Sequence, residues 1–301
     1  SLLIMSSQKL IAVRDPQGFR PLCIGKLDKD IVFSSESCAL DIMGAEFERD
    51  VKPGEVIVVT NNEMKSYDCK NGQNDGLCIF EYIYFARPDS TIDGINVHRF
   101  REEVGKYLAM QAPVEADFVA GVPDSGLDSA LGYSKQSKIP YDMAFIKSKY
   151  IGRTFIQSTQ TKRKSQVVLK LNPIKTTVAG KRIVLVDDSI VRGTTITRLI
   201  KILRRAGAKE IHLRIASPKF VGICYFGTDV AKKDELIAVG KTTEEICKEI
   251  GADSLEYLSL ENLRKIAKES YRTGFCEGCF TGEYPIEVPD EIEKDKFEKV
   301  F

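Results

Sequence analysis

Thirteen consecutive residues, Ile183-Val184-Leu185-Val186-Asp187-Asp188-Ser189-Ile190-Val191-Arg192-Gly193-Thr194-Thr195, constrain the fold of this chain more than any other stretch. Four apolar residues in a row read as a strand buried on both faces. Two carboxylates stand where that strand ends. A short loop follows, and Thr197-Arg198-Leu199-Ile200-Lys201-Ile202-Leu203 then begins a helix. Loop amides and the positive end of a helix attract phosphate. Gly193 lets the backbone approach without a Cβ in the way. Thr194 and Thr195 add hydroxyl donors, and the two Asp can accept hydrogen bonds from sugar hydroxyls. The ensemble is a place to hold a phosphorylated sugar. It is neither a Walker loop, which needs Gly-Lys-Ser/Thr, nor a dinucleotide fingerprint, which needs Gly-x-Gly-x-x-Gly. An Asp pair alone would read as an ordinary solvated strand end; the whole run is far more specific.

The surrounding pattern predicts an α/β fold. Strands are expected at Phe118-Val119-Ala120-Gly121-Val122, Ile183 to Val186 and Ile211 to Ile215, with helical periodicity from Phe100 to Ala112. After the acid pair, Ile196, Leu199, Ile200 and Leu203 share one helix face, and Gly207 stops the helix. Strands alternating with helices make a doubly wound parallel sheet, whose ligands sit at the carboxyl ends of strands. Residues 1 to about 75 differ. Lys9 to Val13, Asp30 to Phe33 and Glu55 to Val59 are short β-runs between turn signals. Asn71-Gly72-Gln73-Asn74-Asp75-Gly76 is the expected boundary. The C-terminal part reads as helical: Thr242-Thr243-Glu244-Glu245 suits a capping box, and the mixed-charge tail from Glu287 a solvated surface helix.

With 301 residues, 43% hydrophobic and 29% charged, the chain has the composition of a soluble globular protein. A formal charge of +1 gives no global attraction to nucleic acid or to an anionic membrane. No apolar run is long enough to span a bilayer. Eight cysteines without a visible secretory signal are expected in a reducing cytoplasm, where close-set cysteines bind metal or do redox chemistry. The chain opens on Ser1 and then Leu2-Leu3-Ile4-Met5, in the middle of a strand-like run, so we expect a fragment.

Two further stretches bear on the site. Gly121-Val122-Pro123-Asp124-Ser125-Gly126 closes a strand with a tight turn; beside a plain turn, it could seat a diphosphate with magnesium against its amides and the Ser125 hydroxyl. Between Asp142 and Asp187 there is no Asp or Glu, but there are Lys147, Lys149, Arg153, Lys162, Arg163, Lys164, Lys170, Lys175, Lys181 and Arg182. With Tyr150 and Phe155 among them, this stretch suits nucleic acid, a solvated basic loop or a lid over a highly anionic substrate. Beside the phosphate loop, we expect the lid.

The run 183–195 closely resembles the phosphoribosyl-diphosphate (PRPP) motif of type I phosphoribosyltransferases. Glu81-Tyr82-Ile83-Tyr84-Phe85-Ala86-Arg87-Pro88-Asp89-Ser90, Gly121-Val122-Pro123-Asp124-Ser125 and Tyr150-Ile151-Gly152-Arg153-Thr154-Phe155-Ile156-Gln157 narrow the resemblance to the amidophosphoribosyltransferases. Asp15-Pro16-Gln17-Gly18-Phe19-Arg20-Pro21-Leu22 and Ser35-Glu36-Ser37-Cys38-Ala39 are similar to the back of that family's Ntn-type glutaminase domain. The resemblance implies a β-rich C-terminal part of that domain at 1–75. It implies a type I phosphoribosyltransferase domain with a C-terminal helical, cluster-binding region at 76–301. It implies formation of phosphoribosylamine from PRPP and glutamine-derived ammonia, the first step of purine synthesis, in a homo-oligomer that purine nucleotides inhibit.

By the same resemblance, Asp187 and Asp188 are catalytic, and magnesium contacts fall on Ser125, Asp187 and Asp188. PRPP contacts fall on Asp124, Ser125, Lys147, Arg153, Ser189, Ile190, Val191, Arg192, Gly193, Thr194 and Thr195. One subgroup carries a four-iron, four-sulfur cluster, whose ligand positions match Cys78, Cys224, Cys276 and Cys279. Cys23, Cys38, Cys69 and Cys247 are then ordinary thiols. The family's N-terminal cysteine nucleophile has no counterpart in the sequence, so activity with ammonia alone is expected. Two rivals are a non-catalytic PRPP-binding regulator and a purine or orotate salvage transferase. The first needs a DNA-binding helical module; the second has no use for four cluster cysteines.

Overall fold

A computed structural model describes residues 1–61, 63–69, 76–148, 171–228, 232–269 and 274–289. The chain divides into two compact units. The first takes in Ser1–Phe100, Gly222–Ala231 and Ala267–Phe301; the second takes in Arg101–Val221 and Lys232–Ile266.

The β-runs of the N-terminal region become seven antiparallel strands: β1 (Leu2–Met5), β2 (Leu10–Val13), β3 (Cys23–Leu27), β4 (Asp30–Ser34), β5 (Glu46–Asp50), β6 (Glu55–Thr60) and β7 (Glu63–Asp68). They form one sheet in the order β1-β2-β6-β7 and another in the order β4-β3-β5. Alternation along β6 buries Glu55, Ile57 and Val59 on one face. There Ile57 and Val59 join Ala12, Leu22, Ile24 and Val51 in a small core. Farther along, Leu77–Cys78 pairs in parallel with Phe275–Cys276, which sets Cys276 directly opposite Cys78.

The second unit holds a parallel sheet of β8 (Phe118–Gly121), β9 (Arg182–Asp187), β10 (Glu210–Ile215) and β11 (Ser254–Tyr257), in that order. Helix α1 (Val97–Gln111) enters this unit at Arg101, and α2 (Leu127–Ser137) and α3 (Thr194–Arg205) follow. The chain after α2 returns on the other side of β8: Tyr141 makes a parallel bridge with Val119, whose amide donates to Pro140 O at 2.8 Å. Strand order therefore reverses between β8 and β9, the switch point where doubly wound sheets bind ligands. As expected, α3 buries Ile196, Leu199, Ile200 and Leu203. They join Ile183, Leu185, Ile211 and Leu213 in the core of the unit. Helices α1 and α2 cross with their backbones touching; a Cβ on Gly105 would strike Ser129 O, and one on Gly132 would strike Glu102 O.

Candidate functional site

The carboxyl ends of β8 and β9 bring the two expected halves of the site together. The Val122 amide donates to Val186 O at 2.8 Å, which joins the turn after β8 to β9. Gly126 fits against the same carbonyl, where a Cβ would stand 2.5 Å from it. Ser125 is thereby brought beside the acids: its hydroxyl donates to Asp188 Oδ2, and the Ser189 hydroxyl donates to Asp188 Oδ1. The Asp188 amide donates to Asp187 Oδ1 at 2.9 Å.

Both carboxylates are buried. Burial pushes the Asp187 carboxyl well above the usual carboxylate range, and the neighbouring Asp188 pushes it further. Asp188 is also raised by burial, with the two serine hydroxyls and Arg101 pulling it back. Two crowded acids and a hydroxyl form an oxygen-only donor set, which fits a magnesium ion that keeps most of its waters.

The loop after the acids is a candidate anion cradle. Gly193 takes the left-handed conformation (φ +74) that starts α3. The Thr197 amide and hydroxyl close the first turn on Gly193 O, at 3.0 and 2.8 Å. Among the described residues, no amide from Ser189 to Ile196 has a protein acceptor. Eight consecutive amides around a helix N-terminus are thereby left able to donate to an anion. Thr194 and Thr195 lie exposed, whereas Ile190 is buried in the core of the unit. Arg192 pairs with Glu235 at 2.5 Å.

At the other end of the site, Lys147 forms an ion pair with Asp124. Arg153 and the rest of the expected lid, from Lys149 to Lys170, lie outside the described residues. Two groups escaped the sequence reasoning. Glu235 and Ile237 belong to a segment without a motif, and nothing local marks them as neighbours of the loop. Arg101 is recognisable only once α1 and α2 are packed: it lies 3.8 Å from Asp128.

The first unit gathers the four expected cluster cysteines from three distant segments. Besides the Cys78–Cys276 pairing, the Gly222 amide donates to Cys279 O at 3.0 Å. Cys224 Sγ accepts the amides of Phe226 and Thr228 at 3.4 and 3.3 Å. Burial pushes the Cys78 thiol up to about 12, and it raises Cys276 and Cys279 as well. Cys279 is raised further by the other three thiols, so all four share one environment. Arg20 lies beside them: burial lowers its guanidinium, Cys78, Glu81 and Cys224 together raise it by more, and it pairs with Glu81 at 2.5 Å and donates to Phe226 O at 2.9 Å.

Among the described residues, no three His, Cys, Asp or Glu side chains converge on one metal ion. A cluster binds each thiolate to a different iron, so its ligands surround a core rather than a single ion, and three buried thiols with the half-buried Cys279 fit it as a donor set. All eight cysteines are free, and of the other four Cys69 is exposed and Cys23 and Cys38 are buried. None of the helices among the described residues is long and apolar enough to cross a membrane.

The fold and the acid-tipped cradle define a type I phosphoribosyltransferase domain, and the family described as phosphoribosyl transferase domain matches residues 103–219. Three amidophosphoribosyltransferases align with nearly all of the chain. The one from Methanocaldococcus jannaschii is 52% identical over 303 residues, covering 96% of this chain and 64% of its own length. The Archaeoglobus fulgidus protein is 48% identical over 292 residues, with 97% and 64% covered, and the Bacillus subtilis protein is 47% identical over 291 residues, with 96% and 61% covered. A solved structure of glutamine PRPP amidotransferase from B. subtilis, complexed with ADP and GMP, superposes with a TM-score of 0.88 at 47% identity. It covers 96% of this chain and 65% of that one. Over the stretch it spans, this chain is similar to the amidophosphoribosyltransferases. It spans somewhat under two thirds of the length of these relatives.

Proposed function

We propose that this chain carries the phosphoribosyl-transfer machinery of an amidophosphoribosyltransferase, forming 5-phosphoribosylamine from PRPP and ammonia. The observation that supports it best is the row of amides from Ser189 to Ile196, without protein acceptors, directly behind a buried acid pair at the sheet's switch point. The cradle holds the 5-phosphate, so binding energy is used to orient the ribose. Asp187 and Asp188 hold the ribose hydroxyls and face the positive charge that develops at C1 as the diphosphate leaves. Asp124 and Ser125 offer the turn on which the diphosphate rests, and Lys147 supplies a cation beside it. Magnesium, held through Ser125, Asp187 and Asp188, neutralises the leaving group when bound. Arg153 and its basic neighbours exclude water that would hydrolyse PRPP.

In the relatives' naming, the ammonia comes from glutamine. We assign residues 1–75 to part of a glutaminase domain and residues 76–301 to the transferase with its cluster-binding region. A four-iron, four-sulfur cluster on Cys78, Cys224, Cys276 and Cys279 suits three buried thiols and a half-buried fourth that lie close enough to raise one another. Purine nucleotides are the proposed inhibitors, in line with the ADP and GMP of the Bacillus complex. A cytoplasmic homo-oligomer completes the proposal. The test is ammonia-dependent consumption of PRPP with magnesium, followed by diphosphate release. Turnover that disappears in Asp187→Asn/Asp188→Asn supports the assignment; a native chain that neither binds nor consumes PRPP overturns it.

A further inference from the structure

Behind the cradle runs a segment that no part of the proposed chemistry uses. Lys233–Glu235 forms one short 3-10 turn, and Leu236, Ile237 and Ala238 follow it into the core of the second unit. This segment lies beyond the matched domain, 103–219. It grips the loop at three successive residues. The Ile237 amide donates to Val191 O at 2.9 Å. The Glu235 carboxylate accepts from Arg192 at 2.5 Å. The Ile237 side chain packs where a Cβ on Gly193 would have to go. Ile190, one residue earlier, shares the apolar cluster with Ile237 and Ala238.

We propose that residues 233–238 are a strap that pre-organises the phosphate cradle, with Glu235 and Ile237 as positioning residues for the 5-phosphate. The inference rests on the transferase function proposed above. Eight amides without acceptors repel one another and would, in a loose loop, turn outward to water. Holding Val191 O and the Arg192 side chain from behind keeps the donors aimed at one point before the ligand arrives, which cuts the ordering cost of binding. The arrangement also turns Arg192 toward Glu235. Its guanidinium then serves as a fastening, and recognition is left to the amides and to the Thr194 and Thr195 hydroxyls.

The sign of the effect separates a strap from a bare charge. A carboxylate near an anion site repels the anion, so if charge were its whole role, Glu235→Ala and Glu235→Gln would both tighten phosphate binding. A strap needs the acceptor oxygen, which Gln keeps and Ala lacks. Isothermal titration of the full chain with ribose 5-phosphate, and separately with magnesium diphosphate, reads the difference. We expect Glu235→Ala to raise the ribose 5-phosphate Kd about threefold, as for the loss of a half-exposed ion pair. Glu235→Gln should stay within about twofold of the native chain, and Lys233→Ala, whose side chain takes no part in the contacts above, should not change it. Diphosphate affinity should be unchanged in all three. Equal effects of Ala and Gln overturn the strap, as does a parallel loss of diphosphate affinity. Failure of the native chain to bind ribose 5-phosphate sinks the transferase proposal, and the strap with it.

Discussion

The cradle and the four-cysteine site are built in opposite ways. The cradle's donors lie on one contiguous stretch: strand, acids, loop and helix follow one another from Ile183 to Arg205, with Ser125 and the 235–237 segment supporting them from outside. The cysteine site is assembled from Cys78, Cys224 and the Cys276–Cys279 pair, and it exists only when three remote segments meet. A contiguous site carries its own geometry, so its function is readable residue by residue. A scattered site is only a set of cysteines until tertiary pairing gives it meaning. The two should therefore respond to substitution independently.

The largest expected effect falls on the acids. Asp187→Asn/Asp188→Asn should cut ammonia-dependent turnover on the order of a hundredfold to a thousandfold, with the far-ultraviolet circular dichroism unchanged. Near-native turnover would show that the acids merely cap a strand. Next, Gly193→Ala forces a Cβ into the left-handed region and against Ile237. PRPP affinity should fall about tenfold, by the cost of that backbone conformation, in an equilibrium titration; an unchanged affinity would mean that the loop has no fixed shape.

A third test concerns the stability of the first unit. Burial alone would raise the Glu55 carboxyl, but hydrogen bonds from Arg49, Ser66 and the Lys52 amide outweigh it and hold it at about 2. Its folded value is depressed, so its contribution is complete above the unfolded carboxylate value and is lost as pH falls through about 2. Glu55→Gln should cost about 1–2 kcal/mol in urea unfolding at pH 7, with the gap closing toward acid. The smallest effect sharpens the comparison most. With the proposed cluster in place, Cys279→Ser should remove its iron and brown absorbance yet leave ribose 5-phosphate affinity within about twofold, because among the described residues none of the cradle's contacts passes through the cysteines. A tenfold loss of that affinity would show that the two sites depend on each other.

How much was legible follows the same division. Strand β9, helix α3 with its buried face, and the Thr242–Glu245 capping box were all visible in local sequence, since each rests on contacts within a few residues. The β-rich character of residues 1 to about 75 was legible in short runs between turn signals, whereas their antiparallel pairing was not. Helix α2 was not anticipated, because Leu127–Ser137 is rich in Ser and Gly and weak in intrinsic preference; close packing of Gly132 against α1 fixes it. Strand β11 escaped as well, being four residues long and paired, among the described residues, only with β10. In the site, the acid pair, Ser125 and the loop were named from sequence. Glu235 and Ile237 were not, because they meet the loop only through a chain reversal more than forty residues on.

The central claim is that the amides from Ser189 to Ile196 receive a phosphate. Amide proton and nitrogen shifts, recorded while ribose 5-phosphate is added, test this directly. The largest downfield proton shifts are expected within 189–196, saturating together, while the amides of Phe226 and Thr228 beside Cys224 stay put. Saturable binding with no movement in 189–196, or shifts centred on another segment, would contradict it.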